Sequence, residues 1–150
     1  MLTLAEADAI ADGVIDWGRK QGSGKLTVAV LDTGGHPIVV KREDGSEFLR
    51  VQIAIAKAWG ALGMGLPTRV IAERAARPEL AGFFVSLAAV SGGRLVPVAG
   101  GVLVRRDGQV VGGVGVSGDV SHVDEEAAVA AIEAVGLQAD VGQVEEWRRP

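Results

Sequence analysis

The first hydrophobic period along the chain is helical. Ile10, Val14 and Trp17 share one face of a helix. Thr3-Leu4-Ala5-Glu6 precedes them, a hydroxyl N-cap with a glutamate three residues later, which is the capping-box pattern. Arg19 and Lys20 suit the C-terminal end of the helix dipole, and Gly22 and Gly24 end the helix. The period then changes. Leu26 to Leu31 is a short apolar run between Gly24 and Gly34, and it predicts a strand buried on both faces. Thr33-Gly34-Gly35-His36 predicts a turn. Pro37 to Arg42 predicts the return strand, with Pro37 tolerated as its first residue.

Helical spacing returns at Ile55, Ala58, Trp59 and Leu62, predicting a second helix from about Arg50 to Leu62 that Gly63 and Gly65 stop. Thr68 is expected to cap a further helix over Arg69 to Arg77, ended by Pro78, with a short helical segment in 79–89. Leu95 to Val98 reads as a short strand, bent at Gly100-Gly101. Val102 to Arg106 and Gln109 to Val116 form a hairpin through Asp107-Gly108, a strong two-residue turn signal. The glycines at 112, 113 and 115 let something approach that strand closely, or relieve crowding. Ser121-x-x-Asp124 opens the last helix, with Ala128, Ala131, Ile132 and Val135 on its buried face and Gly136 past its end. Residues 139–150 read as a C-terminal tail that packs through Trp147. The expected architecture is therefore one α+β layered domain over residues 1–150, an antiparallel sheet of four to five strands flanked by helices.

Composition narrows the chemistry. The chain has no cysteine and no tyrosine, and three residues each of tryptophan and phenylalanine. Disulfides, thiolate nucleophiles and cysteine-held zinc or iron–sulfur clusters are excluded. A net charge of −4 argues against a nucleic-acid partner, which would call for a basic excess and aromatic platforms. The start of the chain carries acids where a signal peptide would be apolar, and no stretch reaches 18 apolar residues. The expectation is a cytoplasmic protein with no membrane partner.

Few residues carry chemistry. His36 sits in a Gly34-Gly35 turn that leaves an imidazole exposed; it reads as a metal or haem ligand or an acid–base group, against the alternative of a polar turn residue. His122 has Asp119, Asp124, Glu125 and Glu126 around it, a set adequate for a divalent metal, although acids in a first helical turn are ordinary dipole complementation, and that reading is preferred. Gly100-Gly101 and Ser117-Gly118 could offer backbone amides to an anion or carbonyl, or be plain turns. Arg42, ending a strand, could clamp a carboxylate or a haem propionate, or equally be a surface charge. Arg69 opposes its helix dipole and so suggests an acidic partner or ligand. Trp17 and Trp59 read as core or subunit contacts, in preference to an aromatic ligand cage. No P-loop, Rossmann fingerprint, HExxH or nucleophile elbow is present.

Three segments taken together carry a resemblance: Val28-Ala-Val-Leu-Asp-Thr-Gly-Gly-His36 with its return strand through Asp44-Gly45, Gln52-Ile-Ala-Ile-Ala-Lys57-Ala58 leading to Pro67-Thr68, and Pro97 through Gly118. Over about residues 3–138 the chain resembles the haem-binding, haem-degrading family typified by the streptomycete extracellular haem-binding protein. The glycolate-operon accessory protein and the C-terminal domain of some corrinoid adenosyltransferases are members too. The resemblance implies a compact domain with a helix-flanked antiparallel sheet, a homo-oligomer (dimer, tetramer or octamer) and haem or another tetrapyrrole as ligand. His36 matches the family's Gly-Gly-His turn. If haem is bound here, the usual axial donors left are His36, His122 and Met64. Two other readings stand beside it. One is a small-molecule lyase or isomerase using His36 as acid–base, Arg42 as clamp and Gly100-Gly101 amides as oxyanion donors. The other is an accessory oligomer without catalysis.

Overall fold

The computed structural model describes residues 1–142. Helix α1 (Leu4–Gln21) begins with the anticipated capping box: Thr3 Oγ1 accepts the Glu6 amide at 3.1 Å and Glu6 Oε1 accepts the Thr3 amide at 3.0 Å. A hairpin of β1 (Thr27–Leu31) and β2 (Pro37–Arg42) follows, then α2 (Leu49–Met64), α3 (Thr68–Ala75), a single 3₁₀ turn at Pro78–Leu80 and α4 (Ala81–Val90). A second hairpin joins β3 (Gly101–Arg106) to β4 (Gln109–Ser117). It turns at Asp107 and Gly108 with φ of 51° and 78°, as an Asp-Gly hairpin requires. Helix α5 (Ser121–Ala134) and β5 (Gln138–Asp140) complete the described chain.

The strands form one antiparallel sheet in the order β2-β1-β4-β3-β5. Strand β1 is buried throughout, and its alternating side chains serve two cores. Val28 and Val30 join Ile10, Val14, Val102, Val114, Val116 and Ile132 beneath α1 and α5. Ala29 and Leu31 face the other way, against Ala54 and Ala58 of α2. Two of the three β4 glycines face α2 as well: a Cβ at Gly115 would overlap the Ala54 carbonyl, and one at Gly113 would stand 3.0 Å from Leu62, whereas Gly112 faces Leu2 in the other core. What approaches that strand closely is therefore a helix backbone. The sheet becomes the middle layer of three, with α1 and α5 on one face and α2 on the other.

Several boundaries differ from the expected ones. Helix α2 runs through Gly63 and ends at Gly65, whose φ of 67° is left-handed. Thr68 lies inside α3 rather than capping it, because its hydroxyl accepts the Gly101 amide at 2.7 Å. Val120 precedes α5 in place of Ser121, since Asp119 and Asp124 satisfy the neighbouring amides instead. Residues 95–98 form no strand: Pro97 has no N–H to offer a ladder, and the Val98 amide turns back to Val96 O at 3.0 Å. Strand β5 was not anticipated, and it takes Asp140 out of the expected tail; Trp147 lies outside the described residues. Among the described residues no helix is long and apolar enough to cross a membrane.

Candidate functional site

The turn between β1 and β2 is organised by one carboxylate. Asp32 Oδ1 accepts the backbone amides of Gly34 (2.9 Å) and His36 (3.0 Å), the local bonding that aspartate supplies to turns. The Asp32 amide donates to His36 O at 2.9 Å, closing the loop. The bond from the His36 amide, with help from that of Gly34, holds the Asp32 carboxyl below its usual pKa. Gly35, at φ 82°, supplies the left-handed residue that the turn needs. The His36 imidazole then stands outward with 79% of its side chain exposed and Nδ1 3.4 Å from Asp32 Oδ1. Asp32 thus orients one ring nitrogen, while Nε2 has no partner among the described residues.

A groove opens beside this turn. Its floor is the half of α2 left over from sheet packing, with Leu49, Gln52, Ile53, Ile55, Ala56 and Trp59. Gly35 and Pro37 form one wall, and Gly93, Arg94 and Val96 the other; the cavity measures about 520 Å³. The turn meets the floor at Trp59, because a Cβ on Gly35 would come within 2.8 Å of the indole. The Arg94 guanidinium lies 3.9 Å from the centroid of the Trp59 ring, a cation–π contact. His36 itself does not line the groove, although both of its chain neighbours do.

The remaining candidates fall elsewhere. Arg42 is exposed at the far end of β2, roughly 20 Å of strand away from His36. Gly101 offers no open amide, since its N–H donates to Thr68 Oγ1, while Gly100 O accepts the Val116 amide at 3.0 Å. Ser117 is fully buried and its hydroxyl accepts from Arg50 Nη1 at 3.1 Å. Ser117 pairs with Thr27, whereas the His36 turn follows Leu31 at the opposite end of β1. Gly118 follows Ser117 at that same end, packed against Lys25 O. His122 is exposed in the first turn of α5, and Met64 lines a separate hollow with Leu66, Ile71 and Phe83. The structure thus brings together Gly34, Gly35 and His36, and does not bring Arg42, Gly100, Gly101, Ser117, Gly118 or His122 to them. Among the described residues no three His, Cys, Asp or Glu side chains gather to hold a metal ion.

Sequence reasoning missed two features. Arg94, which no motif singles out, is the one charge lining the groove and lies over Trp59; Trp59 packs against the core, as expected, and also forms part of the groove floor. The second is a buried ion pair. Lys57 Nζ lies 3.2 Å from Asp124 Oδ2 and donates to Val116 O at 2.9 Å, with side chains 4% and 1% exposed. Burial lowers the Lys57 pKa and raises that of Asp124, and the attraction between them opposes both shifts. The signal was a lysine amid the apolar run of α2. Arg69 does find the acid that its position against the dipole suggested: it pairs with Glu125.

A family model described as "Haem degrading protein HbpS-like" matches residues 2–133. Among curated proteins, the chain is 29% identical over 112 residues to the corrinoid adenosyltransferase PduO of Salmonella typhimurium. That match takes in 75% of this chain and 32% of the relative, so the chain spans about a third of the length of the relative. Among solved structures, one described as a PduOC:heme complex superposes with a TM-score of 0.83 at 24% identity, covering 93% of this chain and 98% of that one. HbpS superposes with a TM-score of 0.77 at 30% identity, covering 90% of each chain.

Proposed function

The chain belongs to the HbpS-like family of haem-degrading proteins, and from that premise we propose that it binds haem in the groove between the His36 turn and α2. The observation that carries this reading is the groove itself: about 520 Å³, walled by aliphatic side chains and one indole, beside the turn that carries an exposed imidazole. Its size lies within the range of about 300–1,000 Å³ usual for small-molecule sites, and its few polar groups suit a largely apolar ligand. The donor set agrees. With cysteine and tyrosine absent from the chain, histidine is the natural ligand for iron, and His36 presents Nε2 outward while Asp32 steadies Nδ1. The PduOC structure, described as a heme complex, supports the same ligand for this fold.

Bound haem would supply redox chemistry; the chain's part is to ligate the iron, shield an apolar edge and place a cation nearby. The haem-degrading activity in the family's description belongs to this reading as its finer part. The lyase or isomerase alternative gains nothing from the geometry, because His36, Arg42 and the Gly101 amide do not converge. Titration with haem, read by absorbance, tests the site's location. Ile53→Arg puts a charge on the groove floor and is expected to weaken haem binding at least tenfold. Unchanged binding in that variant would place the haem elsewhere.

We further propose that the protein self-associates through α4. None of its ten residues is charged and none is buried; Phe83, Val85 and Val90 are 51%, 74% and 84% exposed. Such a helix offers no charge to a complementary partner, whereas a second copy presents the same apolar face in a two-fold interface.

A further inference from the structure

We propose that Arg94 is the residue that selects the groove's ligand, by binding a carboxylate on an otherwise apolar, planar molecule such as a porphyrin dicarboxylate. The inference rests on the reading of the groove as a tetrapyrrole site and adds what recognises the acidic edge of that ligand.

Three observations converge on Arg94. First, it is the one charged residue among those lining the groove, and no lining residue is acidic. A lone charge at an apolar cleft focuses its field on a counter-ion that enters the cleft. Second, the guanidinium is held in place before any ligand arrives. Its Cζ lies 3.9 Å over the centroid of the Trp59 ring, and Nε donates to Ser91 O at 3.2 Å. Third, those two anchors use the ring face and Nε, leaving both terminal nitrogens without a hydrogen-bond partner among the described residues. Arg94 has no carboxylate partner among them either, unlike Arg19, Arg69, Arg105 and Arg106, which are paired to Glu43, Glu125, Asp140 and Glu6. Two parallel N–H donors on a fixed guanidinium are the geometry that a carboxylate accepts in bidentate fashion. Arg42, at the far end of β2, has no comparable relation to the groove.

The experiment compares metal-free protoporphyrin IX with its dimethyl ester, which lacks the carboxylates, by fluorescence titration in the same dilute non-ionic detergent. Metal-free porphyrin needs no iron ligand, so the measurement is independent of His36. Wild-type protein is expected to bind the diacid about tenfold more tightly than the diester, a preference that shrinks at high salt. Arg94→Gln is expected to erase the preference while leaving diester binding intact, and Arg94→Lys to retain part of it. Arg94 is exposed, so neither variant threatens the fold. Equal binding of both porphyrins by wild type, or a preference that survives in Arg94→Gln, would overturn the proposal. If haem binds through His36 while Arg94→Gln behaves as wild type, this inference fails and the haem reading stands. If the diacid preference depends on Arg94 but haem spectra are indifferent to His36, the reverse holds. Failure of the diacid to bind wild-type protein overturns this inference and leaves the haem reading to its own titration.

Discussion

At the scale of single residues, Lys57 and Asp124 hold two opposite charges in the interior, 3.2 Å apart. A lysine in a run of alanines and isoleucines looks like a surface position, yet Lys57 is drawn inward by Asp124 from a helix 67 residues later. No local pattern encodes that pairing, because the two residues meet only once α2 and α5 lie against the same sheet. The pair leads to a prediction. Removing one partner leaves a buried, uncompensated charge, so Lys57→Met is expected to lower stability by about 3–5 kcal/mol. The double variant Lys57→Met/Asp124→Leu should recover most of that loss. Chemical denaturation of the two variants checks it; equal losses would show that the cost lies in packing. His36 was legible for the opposite reason. The Asp-Thr-Gly-Gly-His turn is local, so its bonding and its exposed imidazole follow from the residues themselves. Arg94 was illegible because its meaning depends on Trp59, which sits 35 positions earlier and becomes a groove wall only in the folded chain.

At the scale of elements, the hairpins and the long helices followed from periodicity and turn chemistry, as Thr3-x-x-Glu6 and Asp107-Gly108 illustrate. The shortfalls share a cause. Strand β5 has three residues and exists because the edge of β3 recruits it, not because Gln138-Ala-Asp140 favours extension. Thr68 fails as a cap because its hydroxyl serves a distant strand. Gly113 and Gly115 of β4 are explained by the helix lying on them, and such seating separates two substitutions that look alike in sequence. Gly115→Ala forces α2 off the sheet and is expected to destabilise by about 1–3 kcal/mol or more. Gly63→Ala, in open space within α2, should instead stabilise by up to about 1 kcal/mol. Thermal melts of the two variants test the contrast. A neutral Gly115→Ala would mean that α2 is less closely seated than the structure shows. The same close seating positions the groove, because α2 can hold Trp59 against the His36 turn only while its buried face lies on glycine.

At the scale of the whole molecule, one surface of the sheet is closed by α1 and α5, and the other carries α2 with a groove on its open side and the bare helix α4 beyond it. The uncovered apolar helix is where we propose self-association, so the double substitution Phe83→Glu/Val85→Glu is expected to reduce the sedimenting species toward a single chain. A wild-type protein that sediments as a monomer would remove that part of the account. The central claim concerns the groove and its histidine. Its most direct test is the absorbance spectrum of purified protein titrated with haem, wild type beside His36→Ala. The account predicts a shifted Soret band for wild type, saturating at haem concentrations on the order of micromolar. It also predicts that His36→Ala loses the shift while retaining its fold by circular dichroism. A wild-type spectrum identical to free haem, or an unchanged shift in His36→Ala, would contradict it.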